Sequence, residues 1–430
     1  CYKKVYPSKI MKGFFFLSSL VITACVTQPK SIHQVDSENN PFDTINNLSQ
    51  VRIGLDILLE EKLDLIKNKS IALVTNHSGL DKNGVPNYKR LMIQKDVKLK
   101  IIFSPEHGLF GEAADGEKVN YNGQLNTLPP VASLYGNSRK PKKEQLEGVD
   151  VIIYDIQDVG ARFYTYISTL GQIMEVASQQ GIPIMVLDRP NPITGIKIEG
   201  PILDLKNQSF VGYYPIPIRY GLTIGELAKM IIGEKWIDAT PELIIVPMLG
   251  WQRGHWMDEI NTNWVNPSPN IPDLETAIAY PGMCLFEATN INEGRGSKKP
   301  FKRFGAPWIN KQKLSIELNN LNLAGVVFKP ISYIPIDIKG VANNPKYENQ
   351  VCNGIEIIIT NRNDFNSVNT ALSILSIISK EFPDSFEINK SRMKKLWGKE
   401  NFLDSLHSNG VFDASLDNFN DASKKYHLYD

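Results

Sequence analysis

The sequence predicts an α/β protein, with a Rossmann-like, doubly wound parallel sheet and a second, smaller α/β domain after it. Four short apolar runs rich in β-branched residues predict strands at 71–75, 99–103, 149–154 and 182–187. Between the last two, apolar residues at helical spacing predict a helix over 166–180. Nearly continuous apolar strands suit a sheet covered by helices on both faces, so this β-α-β order favours parallel strands.

The amino terminus predicts export. An apolar run at 14–24 stops at Cys25 and is shorter than the about 20 residues that span a bilayer, so it suits a signal peptide. The residues before the cysteine resemble a bacterial lipobox, although an ordinary signal peptide is the alternative. We expect a signal peptide over 1–25, with 1–10 upstream of the true start, and a flexible polar tether over 26–49. The protein would then be an exported periplasmic or cell-surface lipoprotein, attached to the membrane only by a lipid anchor at Cys25.

Length and composition exclude several classes of protein. The 430 residues suit two domains, a catalytic domain at 50–275 and a smaller one at 276–430 that completes the cleft. Forty-seven basic and 46 acidic residues give a formal net charge of +1, which argues against nucleic-acid binding. Four cysteines without a CxxC pair argue against a disulfide scaffold or a zinc site. The glycine loops of dinucleotide and P-loop sites are absent from the sequence, so we expect no cofactor.

Polar residues follow each of the four predicted strands. Ligands of open α/β sheets bind beyond the carboxyl ends of the strands, so these residues predict one polar cleft. A single aspartate such as Asp155 or Asp188 could instead cap a helix. The candidates from the strand ends are His77, Glu106, His107, Asp155, Asp158, Arg162, Tyr164, Asp188, Arg189 and Asn191.

A second polar cluster lies further along the chain. The proline-punctuated loop at 264–272 contains Asn270, and the segment at 287–297 contains Asn290, Glu293 and Arg295. Glycines on both sides of Arg295 allow close approach to a ligand. The aromatic residues that follow, Phe301, Phe304 and Trp308, have the pattern of exposed rings that could stack on a sugar, although such rings are more often part of a core.

The remaining residues predict the smaller α/β domain. A strand is expected over 355–359 and a helix over 368–378. A further helix, basic and then apolar, is expected over 393–403, without evident chemistry.

Six motifs resemble those of one family and follow one another from about Val51 to the carboxyl terminus. They are FSPEHGLFG (103–111), DIQDVGARFYTY (155–166), LDRPNP (187–192), IEGP (198–201), PSPNIP (267–272) and NINEGRG (290–296). Together they resemble the exo-β-N-acetylmuramidases of the NamZ (YbbC-like) family. The resemblance implies a glycoside hydrolase that releases N-acetylmuramic acid from the non-reducing end of peptidoglycan fragments such as MurNAc-GlcNAc. Cell-wall turnover and muropeptide recycling would be its setting.

Cleavage of a glycosidic bond normally uses two carboxyl groups. We expect Glu106, with His107 beside it, to be the general acid, although Glu106 could instead be a carboxylate in the first turn of a helix. The second carboxyl group stays open, and the acetamido group of the substrate could replace it as the nucleophile. The competing carboxylates are Asp155, Asp158, Glu175, Glu199 and Glu293.

The lactyl carboxylate of muramic acid predicts an arginine in the site, because a guanidinium can bind it through two parallel hydrogen bonds. Arg162 and Arg295, which lie close to glycines, rank ahead of Arg189. The side chains of Asn191, Asn270 and Asn290 could bind hydroxyl or acetamide groups, or could stabilise turns.

Two alternative functions remain at this point. The first is a surface lipoprotein that binds muropeptides without cleaving them. The second is a metal-dependent hydrolase in which His77 and His107 hold a metal with Asp155 or Asp188. The sequence contains neither an HxH nor an HExxH motif, so we expect no metal.

Overall fold

The computed structural model describes residues 49–407, except 114, 115, 118, 120, 122–126 and 137, and residues 415–430. The predicted signal peptide, the predicted lipidation site Cys25 and the predicted tether up to residue 48 lie outside the described residues. The described residues belong to one compact unit. Within this part of the chain, no helix has the length and apolar character needed to cross a bilayer.

A six-stranded parallel sheet forms the N-terminal half, which confirms the predicted fold class. The strand order is β3-β2-β1-β4-β5-β6, which reverses direction between β1 and β4. In a Rossmann-like sheet such a reversal opens a crevice at the carboxyl ends of the strands. The strands are β1 Lys69–Thr75, β2 Val97–Ser104, β3 Val131–Ser133, β4 Val151–Asp155, β5 Ile184–Leu187 and β6 Leu243–Val246.

Helices and apolar side chains cover this sheet on both faces. In β4, Ile152 and Tyr154 pack into one buried cluster, and the alternating residues Val151 and Ile153 pack into another. The helix predicted over 166–180 has those bounds in the structure. The helices of this half are α1 Gly54–Glu61, α2 Asn87–Met92, α3 Lys143–Leu146, α4 Tyr166–Gln180 and α5 Ile224–Gly233.

The C-terminal half is the smaller α/β layer that the sequence predicts, and its sheet is antiparallel. The strand order is β7-β9-β8, and helices α6 and α7 contact α8. The strands are β7 Arg303–Ala306, β8 Val326–Tyr333 and β9 Cys352–Ile359. The helices are α6 Leu274–Met283, α7 Lys311–Asn320, α8 Ser367–Glu381, α9 Lys390–Trp397, α10 Phe402–His407 and α11 Asp417–Lys424.

Two expectations about this half are wrong. The single helix expected over 393–403 is divided into α9 and α10, because Gly398 has a left-handed φ of 83° and ends α9. Phe301 and Phe304 are buried rather than exposed. The ring of Phe301 packs edge-on against Tyr280, with 4.9 Å between centroids, so it belongs to the core.

Candidate active site

A cavity of about 810 Å³ lies between the two halves, and we call it the interdomain cavity. Loops after β2, β3 and β4 contribute residues from the N-terminal half, and residues around α6 and α9 contribute from the C-terminal half. Four of the nominated residues line it: Glu106, His107, Tyr164 and Arg295. The polar and charged lining residues are Glu106, His107, Tyr135, Arg139, Tyr164, Thr165, Ser209, Ser268, Tyr280, Glu287, Arg295, Asn389, Ser391, Arg392 and Lys395.

The turn after β2 brings Glu106 to the cavity. His107 has a left-handed φ of 68° and Gly108 follows with 74°, and the N–H of Gly108 donates to the carbonyl of Pro105 over 3.1 Å. A residue other than glycine rarely adopts this left-handed backbone conformation, and such backbone strain is common at functional sites. The carboxyl group of Glu106 is thereby held at the cavity with only 5% of the residue exposed.

Uncharged donors hold the carboxyl group of Glu106. Its Oε2 accepts a hydrogen bond from the Thr165 hydroxyl over 2.6 Å, and its Oε1 accepts one from the N–H of Gly116 over 3.2 Å. Within the described part of the chain, no cationic side chain lies within ion-pair distance of it. The Nδ1–H of the neighbouring His107 donates to the carbonyl of Ala113 over 2.8 Å. Of the two carboxyl groups that line the cavity among the described residues, Glu106 is the one whose hydrogen-bond donors are uncharged.

A second carboxylate, Glu287, lines the cavity in a different electrostatic environment. Its Oε1 accepts a hydrogen bond from Arg295 over 2.8 Å, and its Oε2 accepts one from Arg392. Burial alone would raise the pKa of Glu287, but the two guanidinium groups outweigh burial and hold that pKa well below its usual range. Glu287 is therefore an ionised anchor for two arginines.

The sequence interpretation missed Glu287, Arg392 and Lys395. Helix α9 turns Arg392 and Lys395 toward the cavity and buries Met393 and Trp397 in the core. This division of one helix into two faces was visible as basic and apolar residues at helical spacing. Such spacing does not reveal what the basic face opposes, so the helix offered no evident chemistry in the sequence.

Most nominated residues at the strand ends have partners within the protein, and the cavity lining does not include them. Asp155 is buried and accepts two hydrogen bonds from Arg189, over 2.5 and 3.0 Å, and one from Asn87 over 2.7 Å. The carboxylate of Asp188 accepts from the N–H of Gly225 over 2.8 Å near the start of α5, but the N-cap residue of that helix is Thr223 and not Asp188. These bonds hold the ends of the strands in place.

The competing carboxylates also have structural partners. Glu199 pairs with the buried Arg219 over 2.6 Å and accepts from the N–H of Val368 over 3.1 Å, which joins the two halves at the start of α8. Glu293 pairs with Arg295 over 3.3 Å. Among the described residues, Glu287 alone shares the cavity lining with Glu106 as a carboxylate, and the lining contains none of Asp155, Asp158, Glu175, Glu199 and Glu293.

His77 and the three nominated asparagines bind the backbone. His77 donates to the carbonyl of Asn266 over 2.6 Å, and burial lowers the pKa of His77, so its ring is neutral. The amides of Asn191, Asn270 and Asn290 each donate to a backbone carbonyl, over 2.9, 2.5 and 2.7 Å respectively. The four side chains therefore stabilise loops around the cavity. Among the described residues, no three His, Cys, Asp or Glu side chains are grouped as a metal site would require.

The expectation that Arg162 binds the substrate is wrong, because its side chain does not line the cavity. Its guanidinium is fully buried and donates to the carbonyls of Pro201, Ile216, Leu396 and Trp397, over 2.6 to 2.9 Å. Desolvation lowers the pKa of Arg162 to about 9, which leaves the group charged at neutral pH. Because Leu396 and Trp397 end α9, this side chain fixes the position of α9 against the N-terminal half.

Comparison with known proteins finds relatives of the whole body of the protein. The family models for the N-terminal and C-terminal domains of the exo-beta-N-acetylmuramidase NamZ match residues 71–275 and 278–429. The peptidoglycan beta-N-acetylmuramidase NamZ of Bacillus subtilis (strain 168) is 39% identical over 425 residues, which cover 97% of this chain and 99% of that protein. Crystal structures of two DUF1343 family proteins from Bacteroides fragilis have TM-scores of 0.81 and 0.70, at 31% and 29% identity. Each match covers 89% of this chain and 99% of the other.

These matches, together with the parallel sheet and the interdomain cavity, define a glycoside hydrolase with a Rossmann-like N-terminal half. The protein belongs to the exo-beta-N-acetylmuramidase NamZ family. The resemblance indicated by the six sequence motifs is thereby confirmed.

Titration of Asp158 affects the stability of the folded protein. It is buried, and its Oδ2 accepts hydrogen bonds from the N–H of Gly160, over 2.7 Å, and from the Tyr220 hydroxyl. Desolvation outweighs these bonds and raises the pKa of Asp158 from 3.8 to about 6. Between those two values the folded protein binds this proton more tightly than the unfolded chain does.

We expect Asp158→Asn to remove a pH dependence of folding. In the wild type, the contribution of this group to stability is lost as the pH rises from about 4 to about 6. Two pKa units correspond to ~3 kcal/mol. Urea unfolding of both proteins across that range gives the difference, variant minus wild type, in the free energy of unfolding. This difference should increase with pH by about 2–3 kcal/mol. A difference that does not change with pH would contradict the assignment.

Proposed function

We propose that the protein removes N-acetylmuramic acid from the non-reducing end of peptidoglycan fragments such as MurNAc-GlcNAc. Membership of the NamZ family supports the reaction, and the Bacillus subtilis relative is named for action on peptidoglycan. The observation that carries the proposal is one cavity that combines Glu106, without a cationic partner among the described residues, with the cations of Arg295 and Arg392. A proton donor and fixed positive charge are what cleavage of an acidic sugar requires.

In this proposal Glu106 is the general acid. Its proton passes to the glycosidic oxygen as the bond from that oxygen to the anomeric carbon breaks, and water supplies the hydroxyl group of the released sugar. The Thr165 hydroxyl donates to Oε2 and thereby orients the carboxyl group. Glu287 holds Arg295 and Arg392 and remains ionised, so it is assigned to positioning and not to proton transfer.

Arg295 is the residue that we assign to the lactyl carboxylate of muramic acid. Its side chain is 16% exposed, lines the cavity and is fixed by Glu287 over 2.8 Å and by Glu293 over 3.3 Å. Its guanidinium also lies over the ring of Phe301, with 5.2 Å to the centroid, which limits its motion further. A guanidinium fixed in this way can bind a carboxylate at little entropic cost.

Glu106→Gln should lower kcat on MurNAc-GlcNAc by about 10²–10⁴-fold, because the sugar leaving group needs the proton. The loss should be much smaller on a muramic glycoside whose aryl leaving group departs as a stable anion. Glu175→Gln is the matched control, since Glu175 pairs with Lys140 outside the cavity. Steady-state kinetics on both substrates measures the effect. Retained activity on the disaccharide, or an equal loss on the two substrates, would exclude Glu106 as the acid.

Arg295→Lys should lower kcat/KM on muramic substrates by roughly 10–100-fold, because lysine cannot form the paired hydrogen bonds. The residual activity on the corresponding N-acetylglucosamine glycoside, which lacks the lactyl group, should change far less. Arg303→Lys provides the control, since Arg303 pairs with Glu356 and lies outside the cavity lining. Comparable losses on the two sugars would show that Arg295 does not bind the lactyl group.

We further propose that the protein is exported and anchored through a lipid on Cys25. The apolar run before this cysteine and its lipobox-like sequence support this, and an exported enzyme would have access to cell-wall material. Fractionation of cells should find the wild type with the membrane and a Cys25→Ala variant outside that fraction. A variant that stays in the membrane fraction to the same extent would argue against lipidation.

A further inference from the structure

Four cations line the interdomain cavity and differ in how exposed they are. The side chain of Arg295 is 16% exposed and lies between Glu287 and Glu293, so it belongs to the interior. Arg139 and Lys395 are exposed, one from each half of the protein, and we call these two the cations at the mouth. Arg392 is 49% exposed and contacts Glu287.

The two cations at the mouth differ from their sequence neighbours in their pairing. Lys140 pairs with Glu175 over 2.5 Å and Lys394 pairs with Glu400, and neither lysine lines the cavity. Arg139 and Lys395 do line it, and neither has an acidic partner within the described residues. Arg139 and Lys140 are neighbours in the sequence, as are Lys394 and Lys395. In each of these two pairs, the residue that lines the cavity is the one whose charge is left for a ligand.

Arg139 is also held in position beside an aromatic surface. Its guanidinium lies over the ring of Phe210, with 4.1 Å to the centroid, and the Phe210 ring lies 6.2 Å from that of Tyr135. Both rings line the cavity. The C–H face of a neutral sugar can pack on such rings, and the contact with Phe210 prepares the guanidinium for an anion next to that sugar.

We propose that Arg139 and Lys395 bind the carboxylate of a second muramic acid residue, two sugars beyond the one that is released. The proposal rests on the proposed function. A peptidoglycan strand without peptides alternates N-acetylmuramic acid with N-acetylglucosamine, so it carries a carboxylate on every second sugar. Arg295 binds the first carboxylate, the rings of Phe210 and Tyr135 contact the neutral sugar, and Arg139 and Lys395 bind the next carboxylate. The enzyme then prefers a longer strand to a disaccharide.

The test compares MurNAc-GlcNAc with the tetrasaccharide that contains two such units. The wild type should have the higher kcat/KM on the tetrasaccharide, mostly through a lower KM. In the double variant Arg139→Gln/Lys395→Gln, this preference should fall by about 5- to 10-fold, the scale of two partly exposed charge contacts. High salt should reduce the preference of the wild type in the same direction, since exposed charges are screened.

The matched control is Lys140→Gln/Lys394→Gln, which removes the same total charge from the same two segments and should keep the preference. Equal preference in all three proteins, or a fall that the control shares, would overturn the proposal. A wild type that releases no muramic acid even from the disaccharide would instead overturn the proposed function. Circular dichroism of each variant shows whether it is folded.

Discussion

The buried guanidinium of Arg162 determines how the two halves meet, and the interdomain cavity depends on that contact. Four backbone carbonyls from three segments accept its hydrogen bonds, and two of them end helix α9. Loss of a buried partner leaves each such group unsatisfied at about 1–3 kcal/mol, so the arrangement is strongly specified. Glu199 reinforces it, since this residue joins Arg219 in one half to the backbone at Val368 in the other.

Polar residues around the carboxyl edge of the sheet divide into two groups according to their partners. Asp155, Arg189 and Asp188 are buried, and a buried charge is stable only when it is paired and hydrogen-bonded, so their bonding capacity is used within the protein. Glu106 lies at the same edge but binds only uncharged donors among the described residues. Its different surroundings suit a proton donor, whereas those of the paired residues suit a rigid frame.

The cavity combines the proposed proton donor, Glu106, with positive charge. Glu287 neutralises part of that charge and keeps Arg295 and Arg392 in place, and the cations nearer the mouth add to it. With a formal net charge of only +1 for the whole chain, the positive character of the cavity arises from local placement and not from composition. Such a local field favours an anionic ligand.

The sequence by itself determined the family, the parallel sheet, the bounds of α4 and the position of Glu106 after β2, because these follow from local apolar periodicity and from motifs contiguous in the chain. It did not distinguish Arg162 from Arg295, although glycines lie close to both, and it gave no reason to single out Glu287, Arg392 or Lys395. Only the tertiary structure showed which of these side chains line the cavity and which are buried against the backbone. Whether a charged side chain faces a ligand or saturates a buried carbonyl depends on partners hundreds of residues away, such as Leu396 for Arg162, and local spacing carries no record of them.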